Sequence, residues 1–299
     1  MGWTLGANDT ASVFGLAITN QAIRMWNALL LTAFFVMLGA VLQGQSGIIT
    51  YGSLGTQTLH TAFIISLIPS LAILVTATIG LPVSTTQAVV GAMTGLSLIQ
   101  GNVNWDTLIK LGLGWMLAPI GTMLLALLLY WAVARTFEPW LKRLAVYEAL
   151  LKIGFIIVGA YGAYSLGANN VANVAGVWVK TGVLSLEQGV WFGALTIALG
   201  VLTYSRRVIH TVGHRIVELD PFSGFIATLS ASLTLHIYAM LGVPVSASQA
   251  IVGAVMGIGL VKGAQTVQTK SVLQIVLAWF IVPLITIVVS MGLFVLFPA

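Results

Sequence analysis

Two pairs of short motifs hold the side chains of this sequence that could do chemistry. GANDTAS (6–12) offers Asn8, Asp9 and Ser12, and GANNVAN (167–173) offers Asn169, Asn170 and Asn173. PVSTTQ (82–87) offers Ser84, Thr85, Thr86 and Gln87, and PVSASQ (244–249) offers Ser246, Ser248 and Gln249. Amides and hydroxyls donate and accept hydrogen bonds, and Asp9 is the single acid of the set. Such groups bind ions rather than break bonds. The chain has no cysteine, hence no thiolate nucleophile, Cys-ligated metal or disulfide, and it shows no H-x-x-x-H, G-x-S-x-G or P-loop pattern. No enzyme activity, catalytic residue, cofactor or bound metal is expected.

Each PVS motif reads as the start of a helix after a break. Pro82 and Pro244 cannot continue a preceding helix, and the spacings Ser84 to Gln87 and Ser246 to Gln249 are those of a capping box. The unpaired N–H groups and positive dipole end of such a terminus favour anions, and Ser84, Thr85, Thr86, Ser246 and Ser248 add hydroxyl donors. Two termini facing each other could surround a small tetrahedral oxyanion. Capping alone would account for either copy taken singly. The GAN motifs are read as two further breaks in which glycine permits close backbone approach. Asp9 could cap a helix beginning near Thr10.

The elements that must position these groups lie in a membrane. With 59% hydrophobic and 6% charged residues, and a mean hydropathy of +1.04, the chain is far from the roughly 25% charged residues of soluble domains. Apolar stretches long enough to cross a bilayer, about 20 residues each, occupy 25–43, 59–80, 108–134, 149–165, 188–204, 222–242 and 271–297. The expected fold is an all-α polytopic membrane protein of roughly 10–12 membrane segments, counting shorter Gly/Pro-interrupted ones. A carboxylate within such a frame is costly and is by default functional. Asp9 is therefore assigned to coupling, as proton acceptor or cation ligand, with Ser12 and Asn173 beside it. The excess of 12 Lys+Arg over 7 Asp+Glu reports membrane orientation, because the basic residues cluster in short connections. Nucleic acid is not an expected partner, and no cleavable signal is visible.

The motif pairs recur at offsets of 161 and 162 residues, so the chain is read as a duplication. Charge then sets the relation between the halves. Loop 44–58 is uncharged, whereas its counterpart 205–220 carries Arg206, Arg207, Arg215, His210 and His214. Loop 100–106 offers only Asp106, while 262–270 offers Lys262 and Lys270. Corresponding loops thus fall on opposite faces, which makes the repeats inverted. The expected division is 1–134 for the first repeat, 135–149 for a cytoplasmic linker and 150–299 for the second. The second GAN motif follows an apolar helix at 150–166 and the first follows only MGWTL, so repeat 1 is read as lacking its leading helix, with a start upstream of Met1 favoured.

At these residues the sequence resembles the inorganic phosphate transporter (PiT) family, whose members carry a GAND-type motif in each inverted half and a PVSTTH-like motif further on. The resemblance covers essentially the whole chain. It implies an all-helical carrier, often a homodimer, in the cell membrane, with one central oxyanion site coupled to sodium or protons; the family includes phosphate permeases and bacterial sulfate permeases. Three departures bear on the substrate: Asn170 stands in place of an acid, Ser12 in place of Asn, and Gln87 and Gln249 in place of His. Phosphate near neutrality keeps a proton to donate to a carboxylate, whereas sulfate only accepts. A site that depends on one such bond can discriminate by roughly 10⁴. The reading is a prokaryotic symporter that imports sulfate by alternating access with a proton on Asp9. A Na⁺- or H⁺-coupled phosphate transporter is the alternative, and an anion channel the more distant one.

Other polar residues read as structural. His236 is expected to be a hydrogen-bonded bundle histidine, Lys180 a membrane boundary, and Trp115, Trp140, Trp178 and Trp191 a set that includes interface anchors rather than a stacking site.

Overall fold

The computed structural model describes residues 1–55, 57–79, 83–137, 144–215, 219–262 and 269–298, and every regular element among them is helical. In chain order these are α1 (Gly2–Asp9), α2 (Ala11–Thr19), α3 (Met25–Gln43), α4 (Gln45–Gly52), α5 (Leu59–Ile79), α6 (Thr85–Gln100), α7 (Trp105–Phe137), α8 (Leu144–Lys180), α9 (Leu186–Arg215), α10 (Pro221–Met240), α11 (Ala247–Lys262) and α12 (Thr269–Leu296). Seven of the described helices, α3, α5, α7, α8, α9, α10 and α12, are long and apolar enough to cross a membrane. They match the seven stretches read from the sequence. Their outer faces carry exposed Phe34, Leu71, Leu128 and Val288, as a lipid-facing surface requires.

Contact between helices is made through small residues, the usual membrane solution where hydrophobic attraction between helices is weak. A methyl group on Gly6 of α1 would collide with the Ile197 carbonyl of α9, and one on Gly167 of α8 with the Val36 carbonyl of α3. Likewise Gly91 of α6 abuts Pro283 of α12, and Gly253 of α11 abuts Pro119 of α7. These contacts are reciprocal at the offset of the motifs: what α1 does to α9, α8 does to α3.

The ends of the helices sort into two groups. Ser97, late in α6, donates to the Leu54 carbonyl just before α5, and Asn104 before α7 donates to the Ser53 carbonyl. Lys262, which ends α11, pairs with Asp220, which caps α10. At this second end lie Asn20, close to Gly224 of α10, and Tyr130 of α7 against Phe222. Thus α5 and α6 start and finish at one end of the bundle, and α10 and α11 at the other.

Three expectations are corrected. The GAN motifs are not breaks: GANNVAN lies inside continuous α8, and Thr10, between α1 and α2, keeps helical dihedrals (φ −56, ψ −34) with its hydroxyl on the Gly6 carbonyl. Glycine there serves helix contact, not a kink. The segment 44–58, read as a loop, contains α4. The linker is shorter than 135–149, since α7 runs to Phe137 and α8 starts at Leu144; Glu138, Trp140, Lys142 and Arg143 lie outside the described residues, as does Pro82 of the first PVS motif. His236 accords with its reading, its Nδ1 lying 2.6 Å from the Tyr161 hydroxyl.

Candidate functional site

Helices α6 and α11 start in the interior, where chain breaks leave backbone groups to be satisfied. Ser84 caps α6 by accepting from the Gln87 N–H (3.2 Å), and Ser246 does the same for Gln249 (3.3 Å). The capping box is only half formed. Neither glutamine side chain returns to the serine backbone; Gln87 Oε1 and Gln249 Oε1 are buried without a donor. The Ser246 and Ser248 hydroxyls lie 2.8 Å apart.

The GAN segments bind the residues just before these starts. Asn169 Nδ2 donates to the Val245 carbonyl (2.6 Å), while Asn169 Oδ1 accepts from the Val245 N–H (3.2 Å). Asn8 Nδ2 donates to the equivalent Val83 carbonyl (3.1 Å) but also to Asp9 Oδ1 (2.7 Å), and its own Oδ1 is buried without a partner. Asp9 Oδ1 further accepts from the Thr85 hydroxyl (3.4 Å). Asp9 therefore faces the start of α6 and does not cap α2.

Thr86 ties the first PVS motif to both motifs of the second half. The Thr86 hydroxyl donates to the Val245 carbonyl (3.3 Å) and accepts from Asn173 Nδ2 (3.4 Å). Asn173 Nδ2 also donates to Asn170 Oδ1 (2.7 Å), which leaves Asn170 Nδ2 buried without an acceptor. The structure thus brings together Asn8, Asp9, Thr85, Thr86, Asn169, Asn170 and Asn173 with the capping serines and Gln87 and Gln249. Ser12 is buried one turn beyond Asp9, outside this network. None of these residues is more than 8% exposed, so the site is buried within the bundle.

The site is chemically lopsided. Its first-half groups, Asp9 with Asn8 Oδ1 and Gln87 Oε1, present acceptors that suit a cation. Asn170 Nδ2, from the second half, presents a donor that suits an anion, although that half also holds an unpartnered acceptor, Gln249 Oε1.

Two contributing residues were not legible as such. Tyr51, on α4, is fully buried and donates to Asn173 Oδ1. Trp115, read in the set that includes interface anchors, donates its indole N–H to the Pro244 carbonyl (3.3 Å). Nothing in the uncharged run around Tyr51 marks it, because its role depends on how α4 folds back.

Comparison with known proteins shows the family and the fold. The profile of the phosphate transporter family matches residues 5–148 and 141–291. A "putative phosphate permease" of Methanocaldococcus jannaschii is 32% identical, with 96% of this chain and 91% of that protein aligned. The sulfate permease CysP of Bacillus subtilis is 30% identical over 96% of this chain and 82% of its own length. A solved structure titled as the sodium-dependent phosphate transporter superimposes with a TM-score of 0.85 at 23% identity, covering 99% of this chain and 96% of that one. At that identity the likeness speaks to the fold.

Proposed function

The chain belongs to the phosphate transporter family, and from that premise we propose that this multi-pass membrane protein is a symporter importing a tetrahedral inorganic oxyanion, sulfate in preference to phosphate. The observation that carries the proposal is the position of the one carboxylate, Asp9, in the first half and of the unpartnered donor, Asn170 Nδ2, in the second, with unpartnered acceptors in both halves at Asn8, Gln87 and Gln249. On this reading a cation at Asp9 and an anion at Asn170 share one buried polar cluster, and each improves the other. Two unit charges about 6 Å apart at an effective dielectric of 20 repel by roughly 3 kcal/mol, near a hundredfold in affinity. A cation that neutralises Asp9 removes a penalty of that order, and linkage makes the gain reciprocal.

We assign Na⁺ as the coupling ion, which reverses the proton preference read from the sequence. Asn8 Oδ1 and Gln87 Oε1 are carbonyl-type oxygens that ligate a metal cation but do not need a proton. A relative of the same fold is titled sodium-dependent. Sulfate is favoured by the donor at Asn170 and by the similarity to CysP. Phosphate is the second reading, supported by the retained Asp9 and the name of the archaeal relative.

Alternating access is favoured over a channel by simultaneous burial of every site residue. The reciprocal glycine contacts, and the opposite ends from which α5–α6 and α10–α11 enter, support reading 1–134 and 150–299 as inverted repeats. The end bearing Arg24, Lys152 and Lys262 is assigned to the cytoplasm.

The test is uptake of labelled sulfate and phosphate into proteoliposomes, with Na⁺ and pH gradients imposed separately. Saturable sulfate accumulation driven by Na⁺ is expected. Phosphate uptake that sulfate does not inhibit would sink the substrate assignment, and accumulation driven by pH alone would sink the sodium assignment.

A further inference from the structure

Tyr51 lies outside the four motifs, yet its hydroxyl ends a chain of hydrogen bonds that leads into the site. It donates to Asn173 Oδ1, Asn173 Nδ2 donates to Asn170 Oδ1 (2.7 Å), and Asn170 Nδ2 is left free and buried. The hydroxyl is held firmly in place. Helix α4 is moored to the end of α10 by Ser46 on the Ala239 carbonyl (3.0 Å) and Thr50 on the Gly242 carbonyl (2.6 Å). Across from it, a methyl group on Gly176 would press on Tyr51 Cβ, so α4 and α8 are in backbone-close contact.

A chain of two amides can run in either direction, because each amide offers a donor at one end and an acceptor at the other. Its polarity is set from outside, by Tyr51 donating to Asn173 Oδ1 and, through a longer bond, by the Thr86 hydroxyl, which accepts from Asn173 Nδ2 (3.4 Å). With Tyr51 donating at one end, an N–H emerges at the other. With that donor removed, both amides can turn over and present the Asn170 carbonyl instead. An N–H suits an anion that only accepts, whereas a carbonyl suits an oxyanion that still carries a proton. No equivalent relay serves Asp9: at the repeat offset the counterparts of Tyr51 are Val212 or Gly213, and that of Asn173 is Ser12.

We propose that Tyr51 is a positioning residue that sets the donor polarity of Asn170 and thereby favours a fully deprotonated oxyanion over a protonated one. This rests on the reading of the site as an oxyanion site.

The test is equilibrium binding of sulfate and of phosphate, with Na⁺ present, to the purified full chain and its variants. The readout is the ratio of the two affinities. Tyr51→Phe should shift that ratio toward phosphate by about tenfold or more, and Asn173→Ala should shift it in the same direction. In an Asn170→Ala background Tyr51→Phe should add less than about a twofold change, as expected of a residue that acts only through Asn170. An unchanged ratio in monodisperse Tyr51→Phe protein overturns the proposal, and so does an undiminished shift in the Asn170→Ala background. If Tyr51→Phe does not fold, Asn173→Ala carries the test, and an unchanged ratio there overturns it. A wild type that prefers phosphate would remove the sulfate assignment while leaving the shift to be seen. Binding of neither anion would overturn the relay together with the reading beneath it.

Discussion

Asn169 and Val245 hold each other by two hydrogen bonds, of 2.6 and 3.2 Å, whereas their first-half equivalents Asn8 and Val83 share one, of 3.1 Å. The Asn169 anchor is spent on structure, and the Asn8 anchor keeps an oxygen in reserve. Asn169→Ala would strand the buried Val245 N–H, at a cost of about 1–3 kcal/mol, although the Val245 carbonyl keeps Thr86. Asn8→Ala releases a carbonyl and one of the donors to Asp9. Thermal unfolding in detergent should show the larger drop for Asn169→Ala, and Na⁺ activation the larger loss for Asn8→Ala.

The glycine contacts predict opposite signs for similar substitutions. At Gly6 and Gly167 an alanine methyl meets backbone carbonyls, which cannot swing away, so loss of about 1–3 kcal/mol is expected. At Gly121 of α7 nothing lies within 4 Å, and alanine should stabilise the helix by about 0.5–1 kcal/mol. Melting midpoints of Gly167→Ala and Gly121→Ala should move apart; matching shifts would contradict the packing described.

Restoring an acid at the second motif should change the choice of anion. Asn170→Asp replaces the unpartnered donor by an acceptor, which repels sulfate and welcomes a proton-bearing phosphate. The sulfate-to-phosphate ratio in competition uptake should fall by roughly tenfold or more. A ratio that rises or stays constant would separate Asn170 from substrate choice.

Asp220 has two jobs of unequal weight. It caps α10, accepting from the Ser223 N–H (3.1 Å) and hydroxyl (2.7 Å), and it pairs with Lys262 where both side chains are partly exposed. Loss of a cap costs about 1 kcal/mol, while an exposed ion pair contributes little, about 0–1 kcal/mol. Asp220→Ala should therefore lower the melting midpoint more than Lys262→Ala does.

The long helices were legible because about 20 apolar residues in a row have few other uses; all seven spans were placed to within a few residues at most ends. The motif residues were legible because they recur. Their local form was less so. The Ser–Gln spacing correctly marked the starts of α6 and α11, but the glutamine half of the capping box is not formed. Glycine in GAN suggested a break, whereas helix-to-helix contact with Ile197 and Val36 demanded it instead. Tyr51 and Trp115 were missed because each acts across the fold, on Asn173 and on Pro244, and no local pattern encodes a partner more than 100 positions away.

The proposed function places coupling on Asp9, and the Asp9→Asn variant tests it most directly. The measurement compares Na⁺-driven sulfate accumulation with sulfate exchange at equal Na⁺ on both sides, in proteoliposomes holding wild type or variant. The account predicts that Asp9→Asn loses accumulation above equilibrium while keeping measurable exchange. Accumulation equal to that of the wild type would remove Asp9 from the coupling and contradict the account.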